Sequence, residues 1–534
     1  MMVSDPTLGS SQPGRYWTTT NLGEAAPDVL SPMCSEIWGE SAEIGWLFSM
    51  QVFGVLPTST KPSNDTNDWG CAVFYGRPAI NVDVVRATVA SLPGVSGDDF
   101  ERDLCGSVRA DAPKVKGDPR RIPLILAKAP RTLLREGKVI RAKHAETYAW
   151  WQREVLGDGA SGSPVDRLVA ARGRFVDVFS HHCAWRFVFA GAQSAMKDAA
   201  TKAGDPALAT RLMSGVGDVL ETRMADDLWR LAHGQLTEDA FLGQWGYHGP
   251  NEGNPSATVW REDPAPVRAL VKSYAGRDVE RPADRAARAK GTGADAEQTL
   301  LAATPRLRRS SAAWLVRRVR NIVRTLQVGK ASYLMCIDGV RKATRDFGAE
   351  QVAKGVLADP DDAFFLTIAE CTALQAGTFP DVTDIVLARR SYRDAHRKVA
   401  LPVFFHGMPQ PIVPDLPDAD GPVELTGAAS GGGRVEGRAR VLLDVNDAIE
   451  LDAGDILVCR FTDPSWAPLM SLADALVIDI GGSASHGAVV ARELGIPYVI
   501  GTERGTTALR DGDRILVDGE QNVVRVLARR EGAS

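Results

Sequence analysis

Residues 481–501 read GGSASHGAVVARELGIPYVIG, and this stretch restricts the local fold more than any other part of the chain. A glycine pair, Gly481 and Gly482, ends a strand, and Ser485 stands where a helix N-cap belongs. The spacing predicts a helix from His486 to Leu494, because Gly495 suits a left-handed C′ position and Pro497 cannot continue a helix. Tyr498 to Ile500 then resumes as a strand. His486 falls on the first helical turn, where backbone N–H groups lack intrahelical partners and anions are held. A neutral imidazole is nucleophilic near pH 7, so it can take up a phosphoryl group there while the amides and helix dipole stabilise the incoming charge. The same residues also admit a plain structural reading, with His486 as part of a cap and the glycines as turn formers.

Three further segments bear on that choice. Gly433 to Val441 reads GRVEGRARV, Thr462 to Trp466 reads TDPSW, and Asp511-Gly512-Asp513 with Val517-Asp518-Gly519 brackets a closing hairpin. Together with the G-G-x-x-S-H-x-A-x-x-A-R-E run, in this order, they resemble the phosphohistidine swivelling domain of the phosphoenolpyruvate-utilising enzymes. That family includes pyruvate phosphate dikinase, phosphoenolpyruvate synthase, rifampin phosphotransferase and phenylphosphate synthase. The resemblance implies that His486 is the phosphoryl carrier and that Ser485, Thr462 and the Gly481-Gly482 turn support the carried phosphate. A carrier must be reachable, so an imidazole walled off from solvent would count against this reading.

A chain of 534 residues has room for two to four domains of about 150 residues each. Hydrophobic residues at 44% and charged residues at 24% are ordinary for a globular protein. The start, MMVSDPTLGS, has neither a basic opening nor an apolar run, and the apolar stretch from Ile44 to Leu56 is short and interrupted; we therefore expect a cytoplasmic protein with no membrane partner. Seven scattered cysteines without a C-x-x-C pair predict reduced thiols, no disulfide framework and no metal site. Residues 421–534 hold 11 arginines, no lysine and 17 acidic residues, whereas the whole chain is only at −5, so the rest is close to neutral. Neither part has the basic footprint that nucleic-acid binding requires. An acidic domain of this kind can dock on a locally basic body, or simply be well solvated.

Six prolines between Leu401 and Gly431 mark a stiff linker, and Ala428 to Gly433 reads as a flexible hinge at its end. The expected organisation is a mostly helical region over 1–404, a Pro-rich linker over 405–424 and a C-terminal α/β domain over 425–534. In the last, Ile456 to Arg460, Ala475 to Ile480 and Arg514 to Val517 are β-favouring runs. In the first, Leu168 to Lys197, Ala207 to His233 and Arg309 to Gly348 show helical apolar spacing. Arg277 to Gln298 has few large apolar residues and is expected as an exposed connection, and Pro57 to Trp69 as a polar loop. By the resemblance, the fold class is a multidomain chain with a mostly α-helical acceptor-substrate region followed by a β/β/α swivelling domain.

Several segments of the helical region partly resemble the acceptor regions of rifampin phosphotransferase and phenylphosphate synthase-like proteins. They are Trp17-Thr18 with Asn21, Glu24, Pro27, Ser31 and Pro32; Gly76 to Asn81 with Pro93-Gly94; and Asp362 to Thr367 with Glu370, where the two acids also suit helix capping. Gly246-Tyr247-His248-Gly249-Pro250-Asn251-Glu252, followed by Trp260 to Pro264, looks like the family's G-H-R-G-x-x-E segment without its arginine. An imidazole near a carboxylate can take a proton from an acceptor hydroxyl, so His248 with Glu252 is a candidate base, or else a buried histidine tying down a loop. Arg317, Arg320 and Arg324 fall on one helical face that can meet phosphate or water. His181 and His182 lie in an apolar helical stretch; they point to different faces, which favours core or acceptor-lining roles over metal binding. Eleven of twelve tryptophans precede the linker, which suits an aromatic acceptor as well as an ordinary core.

No G-x-x-x-x-G-K-S/T loop occurs in the chain. By resemblance to phenylphosphate synthase, a separate ATP-grasp subunit holding ATP and Mg²⁺ is expected to phosphorylate His486, and this chain to deliver the group to a small hydroxylated, aromatic acceptor such as phenol or cresol. Two alternatives stay open: a rifamycin-type antibiotic or pyruvate as acceptor, and a non-catalytic phosphocarrier scaffold.

Overall fold

The computed structural model describes the chain except residues 1–2, 21, 27, 93–95, 106, 158, 206, 218, 276–279, 380–381, 413–422, 444–450, 483–484 and 531–534, and the side chains of 24 and 103. Asn21, Pro27, Pro93, Gly94 and half of the Pro-rich linker therefore lie outside the described residues. The chain forms two compact units, each discontinuous in sequence: residues 1–187, 251–257 and 328–414 in one, and 188–250, 258–327 and 415–534 in the other. The helices Pro164–Lys202 and Arg309–Ala353 contribute residues to both.

The first unit is mainly helical. Its one sheet is antiparallel, with the strands Cys71–Phe74, Arg77–Asn81, Tyr16–Thr18 and Phe404–His406 in that order. Around Trp38 the rings of Phe175, Phe179 and Tyr333 meet edge to face, the geometry that aromatic quadrupoles favour. Asp362 and Glu370 close two successive capping boxes, begun by Asp359 and Thr367, and each also pairs with an arginine, Arg390 and Arg389. Their capping role is thus the one the structure displays.

The second unit is built on an eight-stranded sheet. Its strand order is Glu424–Thr426, Val523–Ala528, Arg514–Asp518, Arg434–Leu442, Asp455–Cys459, Ala475–Ile478, Tyr498–Ile500 and Ala429–Gly431. The run from Arg434–Leu442 through Tyr498–Ile500 is parallel, and the flanking pairs are antiparallel. Parallel strands bury both faces, and the side chains divide accordingly. Ile456, Val458, Ala475 and Val477 enter one apolar cluster, while Leu457, Cys459, Leu476 and Ile478 enter another on the opposite face. The second cluster also contains Ala488, Val490, Ala491 and Leu494 of the helix His486–Leu494.

Two expectations are corrected. Residues 277–298 were expected as an exposed connection, but Pro282–Ala303 is a helix of 22 residues. Its buried seam is made of Ala289, Gly293 and Ala296, small residues that secure burial through close approach rather than bulk, and of Leu300. A Cβ on Gly293 would lie 2.5 Å from the carbonyl oxygen of Ser214. The hinge read at Ala428–Gly433 is largely absorbed into the sheet, since Ala429–Gly431 pairs with Tyr498–Ile500 as an edge strand. Gly432 and Gly433, at φ of 88° and 97°, turn the chain back into the sheet.

Among the described residues, no helix is long and apolar enough to cross a membrane. All seven cysteines are free.

Candidate functional site

The helix His486–Leu494 has the bounds that its capping signals predict. Ser485 is extended at φ −67°, ψ 161°, and its hydroxyl oxygen accepts the N–H of Ala488 at 3.4 Å. Gly495 closes the helix in the left-handed conformation at φ 66°, ψ 31°. The helix follows the strand Ala475–Ile478 across the Gly481-Gly482 turn, where Gly481 takes φ 147°. Thr462 arrives from the neighbouring strand Asp455–Cys459, so the site forms just beyond the carboxyl ends of two adjacent parallel strands.

There His486 Nδ1 lies 3.2 Å from Thr462 Oγ1. Gly487 permits this approach, because a Cβ in its place would meet Ile478 Cδ1 at 2.5 Å and the Thr462 hydroxyl at 3.0 Å. Thr462 is steadied by the turn that follows it: Asp463 accepts the N–H of Ser465 at 2.9 Å and caps Pro464–Trp466. On the other side, Asp479 accepts the Thr502 hydroxyl at 2.8 Å and the Thr506 N–H at 3.1 Å, bracing the strand end that leads into the glycine turn. Asp463 and Asp479 escaped the sequence reading as supports; an acid two residues before a serine, as in Asp463-Pro464-Ser465, is the local signal for the first.

The imidazole of His486 is buried, with 6% of its surface exposed. This is the covered arrangement that counts against a freely reachable carrier, and any phosphoryl transfer by this side chain requires that it be uncovered. Ser485, Thr462, His486 and Gly481 are all buried, and Gly482 is half-buried.

The remaining sequence candidates are dispersed. His248 and Glu252 fall in different compact units. His248 is buried among aromatic rings, 4.2 Å from Tyr247 and 5.9 Å from Trp260, with its carbonyl accepting the Trp260 N–H. Glu252 is 1% exposed, and its backbone carbonyl accepts from Arg341. Arg320 donates to Glu297 at 2.7 Å and to the Gly293 carbonyl at 2.9 Å; Arg324 donates to the carbonyls of Gly217 and Val216; Arg317 is exposed. Two guanidinium groups of that face thus tie down backbone. In the first unit, His181 Nδ1 pairs with Glu136 and its Nε2 lies 3.8 Å from Asp177. His182 sits 5.1 Å from the Tyr333 ring, and burial, helped by Arg186 and Lys330, holds its pKa well below the usual imidazole range.

Residue Glu493, on the helix His486–Leu494, has no role assigned from sequence. Its two carboxyl oxygens accept the N–H groups of Val216 and Gly217, each at 2.9 Å. Burial pushes its pKa up, against the pull of those amides and of Arg492 and Arg324.

With this geometry in view, the similarities to known proteins fall on the same residues. Residues 451–522 match the mobile domain of PEP-utilising enzymes, and residues 235–326 match the fourth domain of rifampicin phosphotransferase. The rifampicin phosphotransferase of Streptomyces sviceus is 39% identical over 193 residues, which is 34% of this chain and 21% of that one. The rifampicin phosphotransferase of Bacillus cereus is 30% identical over 297 residues, 54% of this chain and 34% of that one. The phosphoenolpyruvate synthase of Aeropyrum pernix is 45% identical over 106 residues, 20% and 13% of the respective chains. The chain therefore spans a third or less of the length of these curated relatives. From the covered segments, the chain carries the mobile domain of the phosphoenolpyruvate-utilising enzyme family, with His486 at the head of its central helix.

Proposed function

We propose that this chain is a phosphotransferase component in which His486 carries a phosphoryl group to the hydroxyl of a rifamycin-type antibiotic. One observation carries the reading: the imidazole stands at a helix N-terminus beyond parallel strand ends, with Nδ1 against Thr462, inside the segment that matches the mobile domain. When Nδ1 holds the proton and donates it to the hydroxyl, Nε2 carries the lone pair that attacks a phosphorus of ATP; the N–P bond forms as a phosphoanhydride P–O bond breaks, and the departing oxygen keeps that electron pair. In the second half-reaction the acceptor oxygen attacks that phosphorus, the N–P bond breaks, the imidazole leaves with its electron pair, and the hydroxyl proton passes to a base in the acceptor region. Such transfers depend chiefly on in-line placement and charge neutralisation. ATP with Mg²⁺, bound by a separate ATP-grasp subunit, is the donor in this reading, which for the partner rests on family resemblance alone.

Relatives similar over 54% and 34% of the chain are named rifampicin phosphotransferases, which favours the antibiotic acceptor over phenol. The test combines the chain with an ATP-grasp partner, labelled ATP and Mg²⁺, and offers rifamycin, phenol, cresol and pyruvate in parallel. Acid-labile label on the protein and phosphorylated rifamycin are expected, and both should vanish in His486→Ala. Phosphorylated phenol with untouched rifamycin would reverse the choice of acceptor, and labelled protein that consumes no acceptor would leave a carrier without transfer.

A further inference from the structure

The helix that bears His486 is gripped at its far end by parts of the chain well removed from it in sequence. Glu493 accepts the N–H groups of Val216 and Gly217, while Arg324 donates to the carbonyls of the same two residues, so amides and carbonyls of one short loop are satisfied from opposite sides. Use of both carboxyl oxygens as acceptors is the pattern of an ionised group. The Gly215 N–H reaches the Arg492 carbonyl at 3.4 Å. Gly215, at φ 58°, lies against the backbone of Ala289 and Lys290, where any side chain would collide at about 2.2 Å from the Ala289 carbonyl carbon. Further along the same body, Tyr274 donates to the Pro468 carbonyl at 2.6 Å and Arg285 to the Ser471 carbonyl at 2.8 Å. Behind these polar ties, Met224, Leu228 and Tyr274 share one buried apolar cluster with Leu469, Met470 and Leu494.

Resting on the carrier reading above, we propose that Glu493, Arg324 and the loop 214–217 form a clasp that holds the carrier helix docked, and that opening this clasp precedes loading of His486. The observations agree in kind. An imidazole with 6% exposure has no room for a tetrahedral phosphoryl group without displacement of its surroundings, and the clasp joins the carrier helix to residues more than 160 positions earlier in the chain. A carboxyl buried to this degree survives where its hydrogen bonds are complete, and its loss leaves two buried amides without acceptors. Glu493 is in this view a docking residue, two helical turns from the reacting nitrogen, rather than a catalytic one.

The test uses the full chain and potassium phosphoramidate, which requires no partner protein. The imidazole nitrogen attacks phosphorus, an N–P bond forms, the P–N bond of phosphoramidate breaks, and ammonia leaves. Modification is read at each histidine by mass spectrometry, with the exposed His406 as internal control. A lock is available at Ala289 and Gly495, where a Cβ on the glycine lies 3.7 Å from the Ala289 Cβ, within the span of a disulfide. In oxidised Ala289→Cys with Gly495→Cys, His486 labelling should fall at least about tenfold and return on reduction. In Glu493→Ala, which removes both hydrogen bonds to the carboxyl, it should rise at least about tenfold. Arg324→Ala should act in the same direction, and hydrogen exchange at Val216 and Gly217 should rise in both, which separates release of the clasp from general unfolding.

Equal His486 labelling in the locked, wild-type and released proteins would overturn the clasp while leaving the carrier reading intact. Labelling of His406 with none at His486 in any of the folded variants would overturn the carrier reading and the clasp with it.

Discussion

His181 and His182 of the first unit and His486 of the second are held in opposite ways. In the first, His181 is matched by carboxylates on two sides and His182 is sunk between aromatic rings, so both act through packing and pairing inside a helical body. In the second, His486 stands at the junction of a strand end, a glycine turn and a helix start, with its Nδ1 3.2 Å from the Thr462 hydroxyl. The difference teaches that residue identity says little about chemistry in this chain; the local backbone around an imidazole separates a structural histidine from a candidate nucleophile.

The sharpest way to break the comparison is to remove the one imidazole in question. His486→Ala should abolish acid-labile phosphoryl labelling altogether, whereas His181→Ala, His182→Ala and His248→Ala should leave labelling of the protein intact. Retained label in His486→Ala would place the nucleophile elsewhere.

A large effect of a different kind is expected from the core of the first unit. Arg341 and Asp338 are both fully buried, paired at 2.8 Å, and Asp338 also accepts the Trp151 indole N–H at 2.7 Å. Arg341 further donates to the carbonyls of Glu252, Asn254 and Ala257. Removing one member of such a pair strands the other charge, so Arg341→Met should destabilise by about 3–5 kcal/mol, read as a lower midpoint in urea. A change below about 1 kcal/mol would show that the network is not structural in the sense argued here.

Glu43, also in the first unit, provides a pH handle. It is buried and accepts the Gly70 N–H at 2.7 Å, and burial raises its pKa from 4.5 to about 7. The folded state therefore holds this proton more tightly than the unfolded chain. The stability it contributes is complete below about pH 4.5 and is lost as pH rises to about 7. Glu43→Gln keeps an acceptor oxygen and removes the titration, so it should raise stability at pH 8 by on the order of 1–3 kcal/mol and have little effect at pH 4. Parallel denaturation curves at the two pH values decide the matter, and an equal effect at both would exclude a titrating carboxyl as the cause.

The smallest effect should sharpen the second side of the comparison. Thr462→Val preserves shape and removes the hydroxyl next to His486 Nδ1, so labelling of His486 should slow by about tenfold through loss of ring orientation, with stability little changed. An unchanged rate would show that the helix start alone orients the ring.

Legibility in the sequence varied with the range of the interactions involved. The helix His486–Leu494 was legible to the residue, because Ser485, Gly495 and Pro497 act on the backbone within one or two turns. The strands Asp455–Cys459, Ala475–Ile478 and Arg514–Asp518 came within two residues of expectation for the same reason. The helix Pro282–Ala303 was not legible, since its buried seam, though at helical spacing, is made mostly of Ala and Gly with Leu300 as its one large apolar side chain. The proximity of Arg320 and Arg324 suggested a phosphate-facing surface, but whether a guanidinium meets solvent or a carbonyl of a loop a hundred residues away is a matter of packing.

Sequence by itself determined the segment around His486: the strand end, glycine turn, cap and stop signal, each a short-range steric or hydrogen-bonding constraint on φ and ψ. Only tertiary structure decided that residues 188–250 and 258–327 join the C-terminal sheet in one compact unit, that Glu493 grips the loop 214–217, and that His486 is covered. Those facts depend on which distant surfaces exclude water together, and burial between segments far apart in the chain leaves no periodic mark in either one.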